Sequence, residues 1–297
     1  MPEITQATLN RPAAPATATA GPVLAQNDGR KSRDRKRRRR RNHGWYRLIS
    51  PVVLVLIWQL VSSAGLISTQ KLPSPVTVWR TAVTLVTQNS PAYGTLQGAM
   101  LVSLQRMAIG FAFGAAAAIV FALIAGLSRV GENAVDSPLQ ILRTIPLFGL
   151  LPMFIVWFGI GELPKVILIA LGAAIPLYLN MFAGIRSVDA KLVEAARTLK
   201  LSRIELLRHV ILPGALPQTL VGLRQSLGVA WLALVVAEQV NANAGIGFII
   251  SQATQFDAIN VIMVALAVYA VLGLLTDWLV RLLERRTLAW RRGLLSQ

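Results

Sequence analysis

Apolar runs long enough to cross a bilayer recur along this chain, and they leave few folds open to it. A hydrocarbon core is crossed by about 20 apolar helical residues. Runs of that order lie at 48–70, 107–128, 144–161, 166–185, 214–238 and 258–279, with charge only at Arg224, Glu238 and Asp277. The expected fold is therefore an all-α membrane protein of about six transmembrane helices. Only Glu162-Leu-Pro-Lys165 separates the third run from the fourth, which predicts a hairpin. Pro146, Pro152 and Pro176 fall inside runs. The carbonyls they free are tolerated beside other helices or a water-filled cavity, which points to a path through the middle. Gly110 and Gly114, followed by alanines, form a small face for close helix approach. That face serves either a subunit interface or packing within one bundle.

Charge sets the orientation. Charged residues make up 14% of the chain, against about 25% in soluble domains. With the N-terminus inside, 24 Lys/Arg fall on one side of the membrane and three, Lys71, Arg80 and Lys165, on the other. Short loops rich in Lys/Arg stay in the cytoplasm, so both termini are expected there. Eleven of the 24 lie in residues 30–47. Such a run is a generic nucleic-acid signal, but a hydrophobic span follows at once. A juxtamembrane anchor on an anionic leaflet is the better reading, and no nucleic-acid partner is expected. Residues 1–44, Ala/Pro-rich and then polyarginine, are expected to be a disordered extension. A cleaved signal peptide ending near Ser62-Ser63-Ala64 competes with a retained first helix, but the apolar run continues past that point.

Several chemistries are excluded. Cysteine is absent and the two histidines, His43 and His209, are far apart, so neither a thiol nucleophile nor a metal site is expected. No GxxxxGK[ST] phosphate loop occurs, and no catalytic set emerges. The expectation is a transport subunit that is not an enzyme and holds no cofactor.

One basic, polar stretch between two runs is organised differently. Asp189 can cap a helix over about 190–199, with Leu192, Val193, Ala196 and Leu199 at helical spacing. Ser202-Arg-Ile-Glu205 reads as a capping box opening a second helix that stops near Pro213. An amphipathic helix resting on lipid would explain the apolar stripe. It leaves Glu194, directly ahead of Ala195 and Ala196, without a reason. An acid beside small residues suits a helix that inserts into a cleft on another protein.

Ionisable residues within spans are functional candidates because burying them costs about 2.5–3.5 kcal/mol. Arg143 lies near the cytoplasmic face, where snorkelling suffices. Arg224 lies deeper, and either holds an anion with its planar fork or bonds carbonyls freed by the prolines. Glu238, near the outer end of its span, would repel an anion and reads better as a structural or gating contact. Arg224 and Glu238 are the candidates along a substrate path. A self-powered transporter would need coupling-ion carboxylates deep in the membrane, and no mid-span acid is visible.

Glu194-Ala-Ala196, the basic helix and Ile211-Leu-Pro213 resemble the EAA loop of bacterial ABC importer permeases. Lys71-Leu-Pro-Ser-Pro75, Trp157-Phe-Gly159, Gly222-Leu-Arg224, Ala237-Glu238, Gly245-Ile-Gly247 and Arg285-Arg-Thr-Leu-Ala-Trp290 resemble the nitrate/sulfonate/taurine branch. Trp58 to Gly65, Ile211 to Pro217 and Ala237 to Gly247 are most similar to aliphatic-sulfonate permeases. The resemblance covers roughly residues 45–292. It implies a type I ABC importer permease fold in the inner membrane, with 186–212 as a coupling loop. Glu194, Ala195, Ala196, Leu199 and Lys200 would then contact a separate ATPase subunit. It further implies two permease copies, two ATPase subunits, a periplasmic binding protein, and aliphatic sulfonate as cargo, with nitrate, taurine or another small solute as the alternative. The family usually has Gly where this chain has Lys200, so the turn there should be strained or reshaped.

Overall fold

The computed structural model describes residues 43–65, 67, 68 and 70–288. Most of the Ala/Pro and polyarginine extension, residues 1–42, lies outside them. The chain divides into residues 1–57 and 58–297. Helix α1 (His43–Ser63) runs across this boundary, and its apolar part, Ile49–Ser63, is short for a span.

Within 58–297 the end of α1 is tied to the loop that follows. Trp58 Nε1 donates to the Pro73 carbonyl at 3.1 Å and Ser62 Oγ to the Leu72 carbonyl at 3.0 Å. Ser74 caps α2 (Pro75–Thr87), accepting from the Thr77 N–H, with Pro75 in the first turn where no N–H is needed. Helices then follow as α3 (Leu96–Leu127), α4 (Arg129–Leu142), α5 (Leu151–Phe158), α6 (Leu163–Arg186), α7 (Ala190–Thr198), α8 (Arg203–Leu206), α9 (Leu212–Asn241), α10 (Ile246–Gln255) and α11 (Ile259–Thr287).

Among the described residues four helices are long and apolar enough to cross a membrane: α3, α6, the continuous Arg203–Asn241 segment, and α11. The third expected span, 144–161, is not a straight helix. Its apolar residues form the second arm of a broken pair, α4 with Leu147–Phe158, bent by 88°. Pro146 disfavours helical geometry in the residue before it, and a 3₁₀ turn at Leu147–Leu150 re-aims the chain before Pro152 opens α5. Counting that pair gives five spans, against the six expected. The helix from Ser202 also fails to stop at Pro213. A π-helical turn at Leu207–Ile211 widens the ladder just before it, making room for the ring and its missing N–H.

Small residues set the close contacts. A Cβ at Gly114 would stand 2.2 Å from the Ala170 carbonyl oxygen, and one at Gly110 2.7 Å from Ile169 Cβ. The Gly110/Gly114 face is thus spent on α6 inside the chain, the second of its two readings. Gly222 does the same from α9, where a Cβ would meet Asn180 Cβ at 2.6 Å. Lipid offers no hydrophobic drive between helices, so such surfaces and buried polar bonds, among them Ser226 Oγ to the Ala173 carbonyl at 2.6 Å, hold α6 to its neighbours.

Candidate functional site

The loop between α6 and α9 forms as its local signals require. Asp189 Oδ1 accepts from the Lys191 N–H at 2.9 Å. Ser202 Oγ accepts from the Glu205 N–H at 3.3 Å while Glu205 Oε2 takes the Ser202 N–H at 2.8 Å. Lys200 has φ +56°, the left-handed turn that favours glycine. The Leu201 N–H reaches the Ala196 carbonyl and the Lys200 N–H the Arg197 carbonyl, the paired bonds that close a helix this way. The turn keeps its geometry, and lysine bears the strain. Ala196 is buried, whereas Glu194, Ala195, Leu199 and Lys200 are exposed. Leu192, Ala195 and Leu199 fall on one helical stripe, and among the described residues the Glu194 carboxylate has no partner. Replacing Lys200 by Gly removes a left-handed cost of about 1 kcal/mol. We expect a higher unfolding midpoint for the detergent-solubilised Lys200→Gly protein and no gain for Lys200→Ala.

Arg224 is held by carboxylates and also lines a cavity between α9 and α11. Its Nη2 donates to Glu284 at 2.8 Å, its Nε stands 3.2 Å from Asp277, and Arg281 also pairs with Asp277 at 2.7 Å. These four charges cancel. Of the two roles left open for Arg224, the bond to proline-freed carbonyls is absent among its described contacts, because α11 brings acids within reach. Beside them a cavity of about 420 Å³ opens between α9 and α11, lined by Gly228, Trp231, Leu232, Val235 and Tyr269 among others. Arg143 is exposed at the end of α4, before the bend.

Glu238 is fully buried (0% exposed). Ser103 Oγ and Arg106 Nη1 each donate to it at 2.8 Å, and the Gly247 N–H and Tyr269 hydroxyl at 2.9 Å. Ser103 Oγ in turn accepts from the Ile246 N–H at 2.9 Å. The carboxylate thus sits at the N-terminus of α10, taking the Gly247 amide directly and meeting the Ile246 amide through Ser103. Glycine is required above it. Gly245 has φ +119°, and a Cβ there would lie 2.5 Å from Glu238 Oε1; a Cβ at Gly247 would lie 2.5 Å from Glu238 Cβ. This explains the Gly245-Ile-Gly247 motif, which closes the space above Glu238. Arg106 also chelates Glu162 in the 159–162 turn, and Lys165 bonds both Glu162 and the Gly161 carbonyl. The hydrogen-bonded Arg106 guanidinium holds the Glu162 carboxyl below its ordinary range, against a smaller opposing effect of burial.

Ser103, Arg106, Glu162, Lys165 and Tyr269 were missed from sequence. Arg106 and Lys165 each flank an apolar run, so an uncharged-run criterion set them outside the spans. The usable signal was helical spacing: Ser103, Arg106 or Met107, Gly110 and Gly114 share one face of α3.

Comparison with known proteins completes the description. Residues 100–289 match the family described as binding-protein-dependent transport system inner membrane component. The putative aliphatic sulfonates transport permease protein of Bacillus subtilis (strain 168) is 44% identical over 260 residues, 87% of this chain and 92% of that protein. Its namesake in Escherichia coli (strain K12) is 46% identical over 240 residues, 81% and 89% of the two chains. The taurine transport system permease protein of the same strain is 35% identical over 80% of this chain and 86% of that one. In fold, a chain from the crystal structure of an amino acid ABC transporter with histidines superposes with a TM-score of 0.53 at 22% identity, covering 63% of this chain and 92% of that one. A helical bundle with this loop, matched across most of its length, belongs to the family of binding-protein-dependent transport system inner membrane components, multi-pass permeases of ABC importers.

Proposed function

We propose that this chain is the membrane-spanning subunit of an ATP-driven importer of aliphatic sulfonates. The observation that carries the reading is identity of 44% and 46%, over more than four fifths of this chain, to two permeases named for that cargo; the taurine relative stands lower, at 35%. A separate ATPase drives alternating access, since the chain has no phosphate loop of its own. The equilibrium between inward- and outward-open states moves only if nucleotide binding makes different contacts in each. The exposed Leu192, Glu194, Ala195, Leu199 and Lys200 of the 186–212 loop are where this chain offers such contacts, with Ala196 seating the helix from beneath. The Lys/Arg asymmetry supports cytoplasmic placement of this loop and both termini. Two copies of the chain, two ATPase subunits and a periplasmic binding protein complete the assembly. Arg224, clamped by acids, and Glu238, fully buried, are struts beside the path.

Growth on single sulfur sources tests the cargo. A strain lacking the chain is expected to lose growth on alkanesulfonates while keeping growth on sulfate and taurine, with a plasmid copy restoring it. Normal growth on every alkanesulfonate would move the cargo to nitrate or another small solute.

A further inference from the structure

The central turns of two long helices expose only apolar residues, and those of α9 do not. Every exposed residue of α3 over 108–127 is apolar, and so is every exposed residue of α11 over 266–279. On α9 the exposed residues include Gln218, Gln225 and Gln239. With Leu232 these recur every seven residues, a spacing that keeps them on one face of a helix to within about 20° per repeat. From Gln218 to Gln239 the stripe rises about 32 Å, the thickness of a hydrocarbon core. A carboxamide that turns unbonded polar atoms toward acyl chains is strongly disfavoured, so this face meets water or protein.

The amides on it are ordered in one direction. The Pro176 carbonyl can only accept, and Asn180 Nδ2 donates to it at 2.8 Å. That bond orients the Asn180 amide: its Nδ2 also donates to Gln225 Oε1 at 2.9 Å, and its Oδ1 accepts from Gln218 Nε2 at 2.8 Å. Gln225 is therefore left presenting its NH₂ outward, a donor polarised by the two bonds behind it and without a charge. Gly222 makes the arrangement possible by letting α9 approach Asn180. Next along the stripe, Gly228 faces open space and, with Leu232 and Arg224, lines the 420 Å³ cavity, whose walls are mostly apolar. Adjacent Arg224 contributes no net charge, being matched within the Arg224/Arg281/Asp277/Glu284 quartet.

We infer that the Gln218–Gln225–Leu232–Gln239 face of α9 is the solute-facing wall of the translocation path. The sulfonate headgroup passes along neutral carboxamides, with the outward NH₂ of Gln225 as the inner station, while its alkyl tail occupies the cavity at Gly228 and Leu232. Acceptor-only sulfonate oxygens take the Gln225 N–H groups, while the neighbouring Arg224, which lines the same cavity, is matched by Asp277 and Glu284 and so does not trap them, as conduction requires weak, multiple sites. The identity of the solute rests on the sulfonate reading; the wall does not.

The chain has no cysteine, so label recovered on the isolated permease band reports a single replacement without background. The complete importer, with its ATPase and binding protein in proteoliposomes, would carry Gln218→Cys, Gln225→Cys, Gln239→Cys, or the controls Phe113→Cys and Leu274→Cys. The probe is 2-sulfonatoethyl methanethiosulfonate, a water-soluble anion that reacts with thiolate, the form a thiol adopts readily only in contact with water. The three stripe positions are expected to react at least about tenfold faster than the controls, with butanesulfonate slowing reaction at Gln225→Cys. Gln225→Leu should cut uptake several-fold while the complex assembles normally. Stripe thiols that stay as unreactive as the controls, or that instead form disulfides between two copies, would overturn the wall and make this face a subunit seam. Alkanesulfonate uptake by the unaltered protein is measured alongside. If the stripe reacts but no sulfonate is transported, the cargo assignment fails and the wall stands.

Discussion

Glu238→Ala is expected to destabilise the protein by about 3–5 kcal/mol, the cost of removing one partner of a buried ion pair. The loss falls on groups far apart in sequence. Ser103 Oγ, the Gly247 N–H and the Tyr269 hydroxyl would each lose an acceptor, and Arg106 would keep only Glu162 and the Ala244 carbonyl. Glu238→Gln keeps the shape and fails differently. Arg106 reaches one carboxylate oxygen and the Gly247 N–H the other, so in either orientation the amide NH₂ meets a donor. Its destabilisation should lie between wild type and Glu238→Ala. Removing charge from both sides, as in Arg106→Leu/Glu238→Leu, should recover part of the loss, because an apolar pair leaves no buried charge unmatched. Unfolding midpoints in detergent decide this. A double variant no better than Glu238→Ala would sink the ion-pair account, and a wild-type midpoint for Glu238→Ala would sink the structural role altogether.

The second large effect concerns docking. Leu192 is 58% exposed and Leu199 76%, on the stripe that also carries Ala195. If both leucines bury in a partner, each contributes about 1.5–3 kcal/mol. Leu192→Asp/Leu199→Asp should then weaken association with the ATPase by roughly two to four powers of ten, at about 1.4 kcal/mol per power. The permease itself should stay folded, since neither side chain supports its core. We expect uptake at background and loss of ATPase stimulation by loaded binding protein, with an unchanged unfolding midpoint for the isolated permease. Full stimulation in that variant would remove the stripe from the coupling surface.

The outcomes at particular residues show which signals act locally. Asp189, Ser202 and Glu205 were readable because a cap is decided within three or four residues of backbone. The turn at Lys200 was readable for the same reason: helix closure there depends on two amides and one φ angle. The span limits at Arg106 and Lys165 were misread because a charge was treated as a boundary. Arg106 is tolerated inside α3 only because Glu238, 132 residues away, and Glu162 neutralise it. No pattern within α3 states that. The third span was misread for a related reason. Its run is apolar throughout, but the geometry before Pro146, a 3₁₀ turn and Pro152 together bend the pair by 88°. Arg224 stands out in the sequence as a charge within a span, but its partners could not be named, because Asp277 and Glu284 reach it only through the packing of α9 on α11.

The sequence by itself determined that this chain is a helical membrane protein, which residues cap its polar loop, and which family it joins. These follow from composition and from interactions that close over a few residues. Tertiary structure alone decided which buried charges find partners, where a run of apolar residues breaks, and that one face of α9 stays polar where the central turns of α3 and α11 are apolar. A charge or an amide in the membrane is tolerated according to what stands opposite it, and what stands opposite is supplied by another helix.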